Sequence, residues 1–356
     1  MRINASEIFL FFLLLQSLAA AYSFSLQMSS STTVARATSS SLNKKSTALD
    51  VLKTLNNSKR LSPYVSSGSG TAVITGASKG IGAVCAETLA LTGMNVVLCV
   101  RNVEEGEKVR DSMPSWVHKN VQVRKIDLAD LSSVKEAADD IINISGGKID
   151  ILVNNAGVMA PLERMETKQG MEIQFGTNHV AHHYLTRLLL PCFADNGRVV
   201  TVASEAHRTA SIDFEDINSK NKYSPWGAYG QSKLANVLFA KSLQDELVRN
   251  GRDDILSLSL HPGVIATNLW QYTPSIVRPF ASLFSDKTVE QGAATSVFAA
   301  LVSKDDFDGG EYLSDCAVAK PSPNGKDEKG SARSRLWDTT EYMIKEAGFT
   351  MPKELV

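Results

Sequence analysis

The apolar positions of the chain change character near residue 70. From there, short runs dense in Val, Ile and Leu alternate with longer segments of helical period. The runs are Thr71–Thr75, Asn95–Val100, Val121–Ile126, Ile149–Asn154, Arg198–Ala203 and Ile255–Leu260. They lack strict apolar–polar alternation, as strands buried on both faces do. Between them, Ala83–Thr92, Glu104–Met113, Ser132–Ile144, Phe175–Leu190 and Tyr229–Asn250 are long enough for crossover helices. This alternation predicts an α/β fold, a single doubly wound parallel sheet with helices on both faces. Asp308-Gly309-Gly310 predicts a turn before a short last strand, Glu311–Leu313, which brings the sheet to about seven strands. Pro321–Ser334 reads as an exposed loop and Arg335–Ala347 as a closing helix. One domain is expected over residues 68–350.

The first 67 residues have a different pattern. Arg2 precedes an apolar run, Ile8 to Leu15, too short to span a bilayer comfortably and suited to a signal-peptide core. Small residues offer a cleavage site near Ala21-Tyr22-Ser23, so residues 1–23 read as a signal peptide. Phe24 to Thr47 is rich in Ser and Thr, carries Arg36, Lys44 and Lys45, and has no acid. That is transit-peptide composition, which cannot bury a core. Residues 24–67 are therefore expected to be a disordered leader. The junction Ala21-Tyr22-Ser23-Phe24-Ser25 resembles the plastid presequence junction of algae with complex plastids, with Leu26 where that junction carries Pro. A plastid destination follows; secretion or an uncleaved anchor in the endoplasmic reticulum are the alternatives.

Composition adds little. The chain has 356 residues, 43% hydrophobic and 21% charged, with a formal charge of −1, which gives no hint of nucleic-acid binding. Four scattered cysteines (Cys85, Cys99, Cys192, Cys316) show no metal-ligand spacing and read as reduced, mostly buried thiols. His179, His182 and His183 cluster, but no acid or Cys completes a ligand set. They read as helix-surface or packed histidines, and no metal is expected.

The first strand ends in Thr75-Gly76-Ala77-Ser78-Lys79-Gly80-Ile81-Gly82. Glycines between a strand and a helix, as in Rossmann-like folds, let backbone N–H groups approach a pyrophosphate at the helix N-terminus. Gly76, Ser78, Lys79, Gly80, Ile81 and Gly82 are the expected phosphate-side contacts. A tight turn without a ligand would look similar in isolation. At the end of the second strand, an enzyme using NAD usually places an acid. Here Cys99-Val100-Arg101 stands, and Arg101 with Lys79 can pair with a 2′-phosphate, which favours NADP(H). Asp127 after the third strand can accept from the adenine amine. Asn155, Ala156 and Gly157 after the fourth let the chain pass close to the cofactor.

Tyr229-Gly230-Gln231-Ser232-Lys233 puts a phenol and an ammonium on one helix face. A phenol titrates near ~10, and a nearby cation lowers that value. The Tyr can then exchange a proton with an alcohol or carbonyl as hydride moves. Alone, this spacing is common. Ser204 closes the fifth strand at the sheet's carboxyl edge, where it can hydrogen-bond a substrate oxygen. Asn178 is a polar residue on an otherwise apolar helix, suited to bonding a backbone carbonyl or water.

Together TGASKGIG (Thr75–Gly82), NNAG (Asn154–Gly157), Asn178, Ser204, YGQSK (Tyr229–Lys233) and HPGVIATNL (His261–Leu269) resemble the short-chain dehydrogenase/reductase family over residues 70 to about 345. The resemblance implies that Tyr229 is general acid/base, and that Lys233 orients the ribose and lowers the Tyr pKa. It also implies that Ser204 positions substrate, that Asn178 holds a relay water, and that Val264 and Thr267 contact the nicotinamide. Cys99-Val100-Arg101-Asn102, Ser204-Glu205-Ala206-His207, Ser232–Asn236 and Tyr312–Cys316 are similar to the retinol dehydrogenase-like branch. That branch includes the WW-domain oxidoreductase and a dehydrogenase associated with chloroplast protein import.

After Thr267 come Leu269, Trp270, Tyr272, Ile276, Val277, Phe280, Leu283 and Phe284. In the family this region is a lid over the substrate. Its apolar content implies a hydrophobic alcohol or carbonyl of lipid, isoprenoid or retinoid type. The same residues could instead pack on the body, on a membrane surface or on a second copy. The alternative function is an NADP(H)-sensing module at a plastid membrane or import machinery, with little turnover.

Overall fold

The computed structural model describes residues 42–66, 68–265 and 285–352. The expected signal peptide, most of the acid-free segment, Thr267 and the apolar lid lie outside them.

Eight strands form one sheet in the order β3-β2-β1-β4-β5-β6-β7-β8. They are β1 (Thr71–Thr75), β2 (Asn95–Val100), β3 (Val121–Lys125), β4 (Ile149–Asn154), β5 (Phe193–Val202), β6 (Leu256–His261), β7 (Tyr312–Ser314) and β8 (Ala317–Ala319). Strands β1 to β7 run parallel. The eighth, which the apolar pattern does not announce, returns antiparallel to β7. It follows a two-residue turn, Asp315-Cys316, in which both residues have positive φ (53° and 60°). Such turns normally carry Asn or Gly. With neither present, the hairpin leaves no sequence signal.

The crossover helices cover both faces. On one lie α1 (Ala48–Asn57), α2 (Gly80–Ala90), α3 (Val103–Ser112) and α7 (Val289–Leu301). On the other lie α4 (Leu131–Ile144), α5 (Ala181–Leu189), α6 (Pro225–Arg249) and α8 (Ser331–Glu346). Their starts follow from capping chemistry: Asp130 accepts from Ser132 N at α4, and Ser224 accepts from Gly227 N at α6, with Pro225 in the first turn. Helix α7 is buried from Gly292 to Leu301. With no polar face it shows no amphipathic period, which is why the pattern misses it.

The expected disorder of residues 24–67 does not hold where the chain is described. Thr47 and Asp50 close a capping box, and α1 buries Ala48, Val51 and Leu55 against α7. Beyond it, Ser62 N donates to Leu301 O (2.9 Å), Ser62 Oγ to Val302 O (2.8 Å) and Tyr64 Oη to Ala300 O (3.0 Å). Arg198, fully buried, donates to Ser62 Oγ and to Ala299 O, both at 2.8 Å. Its guanidinium lies 5.7 Å from the Tyr64 ring centroid. The segment 48–66 thus belongs to the folded body.

The helix read over Phe175–Leu190 runs from Ile173 to Leu189, with a π-helical turn, Gly176–Val180, inside it before α5. One further expectation changes. The stretch Pro321–Ser334 is docked in part: Pro323–Lys326 is helical, Ser322 is buried, and Ser322 N donates to His207 Nε2 at 3.1 Å.

Candidate active site

The chain order reverses between β1 and β4, so their carboxyl ends open a crevice. The glycine loop lines it. Gly76 has φ +67°, and a Cβ there would lie 2.9 Å from Ala156 Cα. At Gly82 a Cβ would lie 2.5 Å from both Gly76 O and Asn155 Nδ2. Both positions therefore require glycine. Lys79 is the N-cap of α2 in extended conformation, and its side chain makes no capping bond. The N–H groups of Gly80, Ile81 and Gly82 open the helix without a side-chain partner, beside Ser78. That is the donor set an anionic pyrophosphate fits.

Thr75 ties the loop to β4. Its Oγ1 accepts from Asn155 N (2.9 Å) and Ala156 N (3.0 Å), while Asn155 Nδ2 donates back to Thr75 O (2.8 Å). Thr75 opens the glycine motif, but its spacing alone does not announce this anchoring role. Its signal is a hydroxyl closing an otherwise apolar strand. Asp127 Oδ1 accepts from Ala129 N at 2.9 Å, which fixes the turn after β3. Arg101 and Lys79 are both exposed beside the crevice, and neither is in an ion pair among the described residues. The crevice is not free of acids, however. Glu105, at the start of α3, is held below the usual carboxylate range chiefly by a hydrogen bond from Lys108, with Lys79 adding to it.

At the carboxyl end of β5 the candidate reacting groups converge. Tyr229 is 4% exposed, and burial pushes its phenol up to about 12, against a hydrogen bond from Ser204. Lys233 is equally buried, and burial brings its ammonium down to about 8. Its Nζ donates to Val202 O at 3.0 Å and lies 5.8 Å from the Tyr229 ring centroid. Desolvation dominates at the Tyr229 phenol, while the Lys233 ammonium is held by a strand carbonyl. Ser204 caps the short 3₁₀ turn Glu205–Thr209 and accepts from Ala206 N (3.3 Å).

Asn178, fully buried, sits in the π turn. Its amide is spent on protein: Nδ2 donates to Val158 O (2.9 Å) and Ser232 Oγ (3.0 Å), and Oδ1 accepts from Val158 N (2.8 Å). A π turn at such a place commonly marks a functional site. Gly157 is close to both groups, since a Cβ there would lie 3.1 Å from Asn178 Oδ1 and 3.5 Å from Lys233 Nζ. Val264 lies on the far lip, where its N donates to Asp286 Oδ1 (2.9 Å) and its O accepts from Asp286 N (3.0 Å). Thr267 lies outside the described residues. His179, His182 and His183 are buried and packed, none on the helix surface. A cleft of about 580 Å³ between Tyr64, Asp150 and Cys192 lies at the opposite sheet edge and contains none of these groups.

This arrangement can bind a dinucleotide and place a phenol, a hydroxyl and an ammonium around one reacting oxygen. The family model described as short chain dehydrogenase matches residues 70–275. The chain belongs to that family. It is a nicotinamide-dependent oxidoreductase, similar to polyprenol dehydrogenase of Mus musculus (38% identity, over 75% of this chain and 81% of the relative). It is also similar to retinol dehydrogenase 11 of Mus musculus (37%, 76% and 84%) and to short-chain dehydrogenase TIC 32 B, chloroplastic, of Brassica napus (34%, 77% and 88%). Among solved structures, an uncharacterised protein from Mycobacterium paratuberculosis shares 35% identity over 82% of this chain and 97% of its own, with a TM-score of 0.65.

Proposed function

We propose that the protein interconverts an apolar alcohol and its carbonyl with NADP(H), using Tyr229 as general acid/base. The observation that carries this is the meeting of Ser204, Tyr229 and Lys233 at one end of the crevice whose other end is the open N-terminus of α2. The bound nicotinamide supplies or accepts the hydride. Gly76, Ser78, Lys79, Gly80, Ile81, Gly82, Arg101, Asp127, Asn155, Ala156, Gly157, Val264 and Thr267 hold the cofactor. Arg101 and Lys79 favour the 2′-phosphate form.

In the reducing direction, Tyr229, protonated at neutral pH, gives its phenolic proton to the substrate oxygen. Ser204 donates a hydrogen bond to the same oxygen and steadies its developing charge. Lys233 holds the cofactor ribose and keeps positive charge beside the phenol. Asn178 keeps the wall of the site in place through Val158 and Ser232.

Two relatives carry isoprenoid alcohols in their names, and the apolar residues 269–284 suit such a substrate. Retinal and medium-chain aldehydes are the first substrates to try, with NADPH oxidation read at the dihydronicotinamide band. Turnover by the wild type and its loss in Tyr229→Phe support the proposal. Tight NADPH binding without turnover across the panel would favour a sensing role. Chloroplastic relatives and the order of signal then acid-free segment support a plastid address. Residues 1–41 fused to a fluorescent protein should enter plastids, and reticular fluorescence would count against this.

A further inference from the structure

His182, 1% exposed, stands one turn beyond Asn178. Its Nδ1 is 3.0 Å from Asn178 O and its Nε2 is 2.9 Å from Thr75 Oγ1. Which nitrogen carries the proton follows from Thr75. That hydroxyl oxygen already accepts from Asn155 N and Ala156 N, which uses both its lone pairs. Its own proton therefore goes outward, to His182 Nε2, in preference to Val153 O at 3.4 Å. Nε2 is then the acceptor, and Nδ1–H donates to Asn178 O. An imidazolium would have no acceptor for Thr75. Burial, with Lys233 adding to it, keeps the ring neutral down to about 4.

The two ends of this bridge lie on different parts of the site. Thr75 anchors the Asn155–Ala156 turn beneath the cofactor. Asn178 O belongs to the π turn, and the same residue's amide holds Val158 and Ser232. We propose that His182 is a positioning residue. It ties the cofactor-side loop to the Asn178 turn, so that the cofactor and the proton-handling groups keep one register. This rests on the proposed roles of Tyr229 and Lys233.

Two substitutions separate the bonds. In His182→Asn the side-chain amide nitrogen overlies Nδ1, so the bond to Asn178 O survives and Thr75 is released. In His182→Gln the side-chain oxygen overlies Nε2, so Thr75 keeps its acceptor and Asn178 O loses its donor. NADPH affinity is read by fluorescence titration, turnover with retinal as probe, and folding by thermal melts. His182→Asn should weaken NADPH binding about tenfold and leave kcat within about threefold. His182→Gln should leave NADPH binding within about twofold and lower kcat about tenfold. His182→Phe should lose both. Histidine-ring ¹⁵N spectra, assigned through these variants, should show the His182 proton on Nδ1. A proton on Nε2, or parallel losses in both single-bond variants that follow their melting temperatures, would overturn the proposal. Wild-type failure with retinal would count against the proposed function instead, and the ring spectrum with the NADPH titrations would still decide the role of His182.

Discussion

Lys233 and Tyr229 are buried together, and burial acts on them in opposite ways. The ammonium titrates near 8 and the phenol near 12. Between pH 6 and about 8, Lys233 is charged and Tyr229 protonated, the pair a carbonyl reduction needs. As pH rises through about 8, Lys233 loses its proton while Tyr229 keeps its own. Carbonyl reduction should therefore be level below pH 7.5 and fall above 8. A pH–rate profile checks this, and a level profile to pH 9.5 would contradict it. Tyr229→Phe keeps the ring over which Lys233 lies and removes the hydroxyl that carries the proton. It should cost at least ~10²-fold in turnover with NADPH affinity nearly unchanged. At the other end of the crevice, Arg101→Asp replaces a cation with an anion. NADPH binding should weaken about 10²-fold and NADH binding much less, measured by titration of each. Equal losses would remove Arg101 from the 2′-phosphate.

At the scale of elements, the segment 42–66 carries the clearest prediction. A chain beginning at residue 42 retains α1, the Ser62 bonds and the Tyr64 bond to Ala300. It should melt and bind NADPH as the longer chain does. A chain beginning at residue 68 uncovers α7 and takes Ser62 and Tyr64 from Arg198, leaving that cation its bond to Ala299 O, which costs on the order of a few kcal/mol. That chain should aggregate or melt at least ~10 °C lower, and equal melting of the two would show that the segment is dispensable. The same segment shows where legibility ends. Strands β1, β2 and β4 lie where apolar runs place them, because burial on both faces leaves an unbroken signal. Tyr229, Lys233 and the glycine loop stand out by spacing, and Ser204 by its place at a strand end, signals that survive any detail of packing. Helix α1 was lost in a Ser/Thr-rich composition that suggested disorder, although Ala48, Val51 and Leu55 carry a helical period. The Thr75–His182 bridge was not legible either, since its members lie 107 residues apart and only the fold makes them neighbours.

At the scale of the whole molecule, five of the six histidines are buried and held neutral. Burial holds His182 and His207 near 4 and His183 near 3, while His179 and His261 are also pushed well down. In the unfolded chain each titrates near ~6.5. Between pH 6.5 and about 4 the unfolded state thus binds more protons than the folded one, so stability rises with pH through that window and is lost as pH falls. The fully buried rings of His182 and His183 each contribute on the order of 3 kcal/mol to that loss. Thermal melts should therefore fall steeply from pH 6.5 to pH 4.5. His183 offers the sharpest test. Among the described residues neither of its ring nitrogens has a hydrogen-bond partner, and its ring packs 4.5 Å from Trp337 and 5.1 Å from Phe239 between centroids. The Glu341 carboxylate lies 3.7 Å away, and Arg187 already holds that group. His183→Phe keeps the aromatic packing and removes a buried polar ring. It should raise stability at pH 7 by ~1 kcal/mol and reduce proton uptake on acid unfolding by about one. Lower stability at pH 7 with an unchanged pH slope would mean that a bound water or Glu341 satisfies the ring.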